Sequence, residues 1–376
     1  MTSVLLLILG LVLFVGLVVV HEFGHFLVAR RNGVEVEEFG IGFPPRAWSR
    51  TMRSGFLFTI NWLPLGGFVK MKGEHDADTR PGSFGAASTW AKGKIMLAGV
   101  VMNLLAAFVL LMVLAWVGMP QLVDHQFTVA KDSHVSRHQV LVGFVEKDSP
   151  AHHAGLRSSD ALQRMGTAGH LQTISSASQL PNITKQLAGK RVEVQYVRAG
   201  QQHTAMVQLR SAQEVTASQH SSNPKGYFGI SPADYKLTRS TWSAPVVAAG
   251  LIKQFTVLTF HGLGTAIGAL FQGNTAKASE QVSGPVGIVV VLREGSLMGY
   301  QEVLLIIAVI SLTLAIMNVL PIPALDGGRF FLLFISRVLA GKPLSEAMEE
   351  RIVGASFLFL LVLVALITVV DVKRFF

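Results

Sequence analysis

The chain has 376 residues and a formal net charge of +9; half of its residues are hydrophobic and only 15% are charged. Soluble domains carry about 25% charged residues, so this composition, with a mean hydropathy of +0.47, excludes an ordinary soluble protein and points to a membrane protein. The basic residues flank hydrophobic runs, which argues against nucleic acid as a partner, and the lack of cysteine excludes disulfides, thiolate metal sites and a cysteine nucleophile.

The first element is an apolar run over residues 4–29, and residues 4–20 within it hold no polar side chain. About 20 residues of helix cross a bilayer, so this is a candidate span. No basic stretch precedes the run and no small-residue cleavage site precedes His21, so a retained span is expected rather than a signal peptide. Near its end stands His21-Glu22-Phe23-Gly24-His25, an HExxH pattern. Residues four apart share a helix face, so both imidazoles can reach one Zn²⁺ and Glu22 can take a proton from an attacking water. Ionisable groups deep in a span are costly and mark function. The blander reading, that His21 and Glu22 mark the headgroup level, is weakened by the further apolar turn Phe26-Leu27-Val28-Ala29.

Residues 30–94 carry ten Lys or Arg and are expected on the cytoplasmic side. Within them, residues 56–69 are aromatic, β-branched and turn-rich. They read as a β-hairpin too apolar for water, one that dips into the membrane where protein or an aqueous cavity satisfies its backbone. A second span covers residues 95–117 and contains Asn103, either a hydrogen-bonding group inside the bundle or simple helix–helix glue. Residues 125–238 are polar, with alternating runs such as Arg191-Val192-Glu193-Val194-Gln195-Tyr196-Val197 separated by turn signals. They predict one soluble β-rich domain. The apolar segment 245–271 contains Lys253, Gln254 and His261 and is expected to be an amphipathic helix on the outer face. A third span over 303–320 ends at Pro321, and a fourth covers 352–370.

A catalytic zinc has three protein ligands and an open position. Val28 and Arg31 stand where a longer HExxH-based motif would need Gly and His, and Glu35, Glu37 and Glu38 follow too closely past the helix stop Asn32-Gly33. Asp326, in Asn318-Val319-Leu320-Pro321-Ile322-Pro323-Ala324-Leu325-Asp326-Gly327-Gly328, is the better candidate; its alternative is to cap a helix over 329–339. The first span runs inward. The third does too if one span alone separates them, and Asp326 then reaches the depth of the histidines only if 245–271 stays out of the membrane.

HEFGH at 21–25, followed by NVLPIPALDGG at 318–328, resembles the site-2 protease family of intramembrane zinc proteases. LPLGGFVKMKGE at 63–74 is similar to the membrane-associated β-hairpin of its bacterial branch, the regulator of sigma-E protease type, and SGPVGI at 283–288 fits that branch as well. Residues 142–160 resemble the SPAxxAGLxxGD segment of PDZ domains, with Ser159 in place of Gly, and Gly226-Tyr227-Phe228-Gly229-Ile230 is similar to the PDZ carboxylate loop. The family's GPxxN appears as Gly99-Val100-Val101-Met102-Asn103, without Pro.

The resemblance implies a polytopic α-helical membrane protein. It would have four spans, a membrane-associated β-hairpin and one extracytoplasmic α+β PDZ domain, divided as 1–120, 121–238, 239–300 and 301–376. It implies one Zn²⁺ held by His21, His25 and Asp326, with Glu22 as the base. Asn318 and the segment Leu65-Gly66-Gly67-Phe68 would hold an unwound substrate. Substrates would be single-span proteins, such as anti-sigma factors or remnant signal peptides, cut in a bacterial cytoplasmic membrane. The PDZ domain would sit outside and bind or exclude peptides. Two other classes are weighed. A catalytically silent PDZ-bearing scaffold would have no reason to keep Glu22, and a zinc transporter would spread its ligands over several depths.

Overall fold

The computed structural model describes residues 3–219, 221, 224–339 and 341–376, without the side chains of residues 64, 65, 275, 276, 280 and 339. Two compact units emerge, one of Ser3–Val113 with Ala244–Phe376 and one of Leu114–Ser243.

The first unit opens with helix α1 (Ser3–Arg31). The helix stops at Gly33, whose φ is +77°, where the Asn32 side chain and backbone both donate to the Val28 carbonyl. That arrangement satisfies the orphan carbonyls of the last turn. Strands β1 (Val36–Thr51) and β2 (Leu57–Met71) follow as one antiparallel sheet. The expected hairpin over 56–69 is corrected here. Among the described residues the segment does not pair with itself. Residues 57–60 and 67–70 both take residues 38–41 as partners, so Gly40 faces Thr59 on one side and Phe68 on the other. Gly40 is required there, because a Cβ would stand 2.3 Å from the Phe68 ring. Helix α2 (Thr89–Val117) then packs on α1. The two backbones approach closely at Gly24, where a Cβ would lie 2.7 Å from the Ala98 carbonyl oxygen.

The second unit contains β3 (Met119–Pro120), β4 (His134–Val145), α3 (Pro150–His153), β5 (Ala161–Thr167), β6 (His170–Thr173), α4 (Leu180–Gln186), β7 (Arg191–Arg198), β8 (Gln201–Gln208), α5 (Ala212–Ser218) and β9 (Ile230–Arg239). Its sheet runs β3-β9-β4-β5-β7-β8, with β6 on β5. The alternating residues read from the sequence turn inward: Val192, Val194 and Tyr196 join Val140, Val142 and Phe228 in one core. Ser149 caps α3 ahead of Pro150, and Ser211 with Glu214 forms a capping box on α5.

The first unit resumes with α6 (Ala244–Phe271), α7 (Thr275–Glu280), α8 (Pro285–Met298), α9 (Tyr300–Val319), α10 (Asp326–Phe334) and α11 (Glu346–Phe375). Among the described residues, five helices are long and apolar enough to cross a membrane: α1, α2, α6, α9 and α11. Of these α6 is the least apolar. The N-terminus of α8 is capped from a distance, because Gly284 and Gly287 both donate to Asp371 Oδ2 of α11, at 2.9 and 2.8 Å.

Below the sheet, buried Asp76 accepts from Lys92 Nζ and from Arg337 Nε, the latter at 2.8 Å, while its own N–H donates to Glu349 at 3.2 Å. Burial pushes the Asp76 carboxyl up, but Arg337 and Lys92 outweigh it and hold the group below the usual carboxylate range. Because the folded value is the lower one, the network contributes fully above about pH 4 and its contribution is lost as pH falls further, through the depressed value. Removing one partner strands a buried charge, so Lys92→Met is expected to destabilise this unit by about 3 kcal/mol at neutral pH. Unfolding in detergent should resolve the loss at pH 7, and the difference from wild type should shrink once the medium is acid enough to protonate Asp76.

Candidate metal centre

His21 and His25 lie one turn apart on α1, and Asp326 is the first residue of α10. The Nε2 atoms of the two histidines are 3.2 Å apart, and they lie 3.1 and 3.3 Å from Asp326 Oδ2. A tetrahedral zinc with bonds of 2.0–2.1 Å holds its ligand atoms about 3.3 Å from one another. The three atoms therefore form the face of a zinc tetrahedron, and the donor set of two imidazoles and a carboxylate suits that ion. Asp326 does not act as a side-chain cap on its own helix; its carboxylate turns to the histidines. A second group, His75, Glu346 and Glu350, also brings ligand atoms together, but both of its carboxylates are exposed.

The ring nitrogens facing away from this triangle are also held. His25 Nδ1 lies 2.7 Å from the Ile95 carbonyl oxygen, so it must carry the proton and leave Nε2 a lone pair. Asn103 Nδ2 stands 3.2 Å from His21 Nδ1, while Asn103 Oδ1 is buried without a partner among the described residues. A half-turn of the amide exchanges those two atoms. The acceptor then meets Nδ1–H and frees Nε2 of His21 in the same way. Asn103 is itself fixed, since its backbone carbonyl accepts from Ser311 of α9 at 2.8 Å.

The cavity over these residues has a volume of about 190 Å³ and is lined by His21, Glu22, His25, Phe68, Asp326 and Arg329, among others. Of the expected substrate-binding residues, Phe68 lines it, and a Cβ on Gly67 would come within 3.4 Å of Glu22. Gly66 packs instead on the Phe43 ring, and Asn318 is half-buried outside the cavity lining. The side chain of Leu65 lies outside the described residues. The backbone N–H of Val69 donates toward the Glu22 carboxylate, a contact that side-chain patterns do not encode.

Gly99 was read from the sequence only as part of a motif. Here a Cβ on it would stand 2.4 Å from His21 Cε1 and 2.5 Å from His25 Nε2. Gly327 and Gly328 are equally constrained, since their Cβ atoms would meet the Val319 and Ile322 carbonyl oxygens at 2.3 and 1.9 Å. The Asp-Gly-Gly run is thus the sequence that lets the chain turn tightly enough to present Asp326.

The model of peptidase family M50 matches residues 9–363. A Clostridium acetobutylicum protein named as a zinc metalloprotease is 30% identical over 97% of both chains. A Fusobacterium nucleatum protein of like name is 28% identical over 98% of this chain and 97% of its own. The Enterococcus faecalis protein named probable protease eep is 27% identical over 96% and 97%.

Two substitutions test the geometry. Gly99→Ala should displace both imidazoles and lower zinc occupancy in purified protein at least tenfold at limiting metal, with helix content unchanged. Asn103→Ala should weaken zinc binding by about 10–100-fold, as loss of a group behind a metal ligand does; Asn103→Asp, which keeps an acceptor, should retain most of it. Both are read by metal analysis against a graded chelator. With the matched family spanning nearly the whole length and the HExxH and Asp-Gly-Gly runs meeting at one point, the chain belongs to peptidase family M50.

Proposed function

We propose that this chain, a zinc metalloendopeptidase by its family, cuts peptide bonds within the membrane-spanning segments of single-span proteins. The observation that carries the reading is the meeting of His21, His25 and Asp326 around a cavity that also holds Glu22, on a helix that is apolar before and after them. Zinc in such a site polarises the scissile carbonyl and acidifies water. His21, His25 and Asp326 are its ligands in this reading. Glu22 accepts the proton of the attacking water and returns it to the leaving amine. Phe68 and the edge of β2 hold the unwound substrate beside Glu22, and this strand geometry matters because a helical substrate hides its carbonyls.

Depth supports the intramembrane reading. Trp90 and Trp116 stand near the ends of α2, about 39 Å apart along the helix, which suits two interfacial belts. His25 bonds to Ile95, five residues in from Trp90. The metal site therefore lies roughly 8 Å inside the cytoplasmic belt. The same arithmetic favours four spans. Leu292 of α8 and Val303 of α9 pack on Gly10, about 16 Å outward from His21 along α1. Ser356 accepts from Ala324 near the site, and Asp371 caps α8 about 22 Å further along α11. The segment following α6 thus returns to the outer side, where α6 with Lys253, Gln254 and His261 lies as an amphipathic helix.

The second unit reads as an outward PDZ module. β9 pairs along its length with β4, but on its other edge β3 pairs only with Leu237 and Thr238. The remaining edge suits strand addition by a peptide, or a steric filter. Anti-sigma factors and remnant signal peptides in a bacterial cytoplasmic membrane are the proposed substrates.

The decisive experiment pairs Glu22→Gln with a single-span reporter in membranes. Zinc should stay bound while cleavage falls by at least a thousandfold, on the scale of removing a general base and its positioning. Undiminished cleavage by the variant would overturn the mechanism.

A further inference from the structure

One group in the cavity has no part in the reaction as described. Arg329 follows Asp326 by three residues, so both project from one face of α10. Among the residues lining the cavity it is the one permanent cation, and it shares that lining with two carboxylates, Glu22 and Asp326. It also lines a neighbouring cavity of about 340 Å³, with Glu74, His75, Glu349 and Glu350. Its head is anchored: Nη2 donates to the Glu74 carbonyl at 3.2 Å and lies 4.0 Å from Glu349 Oε1. Nε, however, is buried without a hydrogen-bond partner among the described residues. A buried donor left unpaired is costly. A purely structural arginine on this anchored fork would be expected to use Nε as well.

We infer that Arg329 is a product- and substrate-binding residue that receives the carboxylate formed at the cut, an inference that rests on the proteolytic reading above. Hydrolysis adds water across the amide. The acyl carbon gains an oxygen, the C–N bond breaks, the amine fragment takes a proton, and the acyl fragment leaves as a carboxylate. That new anion forms beside Glu22 and Asp326, which repel it. A guanidinium is planar and offers paired N–H donors that match a carboxylate. Nε supplies the unspent donor of that fork.

The test is equilibrium binding to the zinc-loaded full-length enzyme in detergent, which does not require turnover. The probe is a fluorescent peptide equal to the N-terminal cleavage fragment of the reporter, made with a free C-terminal carboxylate and, separately, as its amide. Zinc favours the carboxylate in every variant, so the readout is the change in the carboxylate-to-amide affinity ratio. Arg329→Gln should lower that ratio about tenfold or more, the scale of a charge-assisted pair. Arg329→Lys, which keeps the charge and loses the fork, should lower it at least threefold. Glu349→Gln, which removes the anchoring charge but keeps an acceptor for the Asp76 N–H, should keep the wild-type ratio. An undiminished ratio in whichever arginine variant retains its zinc overturns the inference, and so does an equal loss in Glu349→Gln. Failure of the proteolytic reading itself would appear differently, as wild-type protein that binds no zinc and leaves the reporter intact.

Discussion

The close approach of α1 and α2 is the constraint on which the rest depends. Where the two helices meet, Gly24 lies against the Ala98 carbonyl and Gly99 against the two imidazoles, with no room for a Cβ at either, and that allows two things at once. The imidazoles of His21 and His25 occupy the space a side chain at 99 would take, and their outer nitrogens reach acceptors on α2, the Ile95 carbonyl and the Asn103 amide. In a low-dielectric setting an unpaired ring N–H would be expensive. Small residues thus make the metal site electrically possible as well as sterically possible. Packing through small residues is the usual means of joining helices in lipid; here it also fixes the tautomers.

The placement of Asp326 needs a different device. α9 ends and α10 begins within a few residues, and Gly327 and Gly328 lie against the carbonyls of Val319 and Ile322 with no room for a Cβ. This turn returns the chain so that Asp326 points at the histidines. The ionic cluster of Asp76, Lys92, Arg337 and Glu349 ties the segment after β2 to the helices beyond α10. The strand that lines the cavity and the helix that carries Asp326 are therefore braced by the same charges.

Much of this was legible in the sequence, because it follows periodicities that side chains record. The four-residue spacing of the histidines, the uninterrupted apolar runs and the alternation in residues 191–197 all became the expected elements. The helices extend a few residues past the apolar runs at several ends, as with α2, which begins at Thr89, because polar first turns remain helical outside the hydrocarbon. The missed features are of another kind. The Ile95 carbonyl and the Val69 N–H carry no side-chain signature. The 56–69 segment looks self-sufficient because its composition fits a hairpin, yet its partners come from residues 38–51. Arg329 resembled an ordinary helix residue until its neighbours were in place.

The cap on α8 has a consequence for the order of assembly. The acceptor for Gly284 and Gly287 is Asp371, 87 and 84 residues later. Until α11 packs against it, the opening N–H groups of α8 lack this acceptor, a costly condition away from water. The membrane unit is thus a structure in which α11 closes over α8. That helix acts as a latch on an element far from it in sequence.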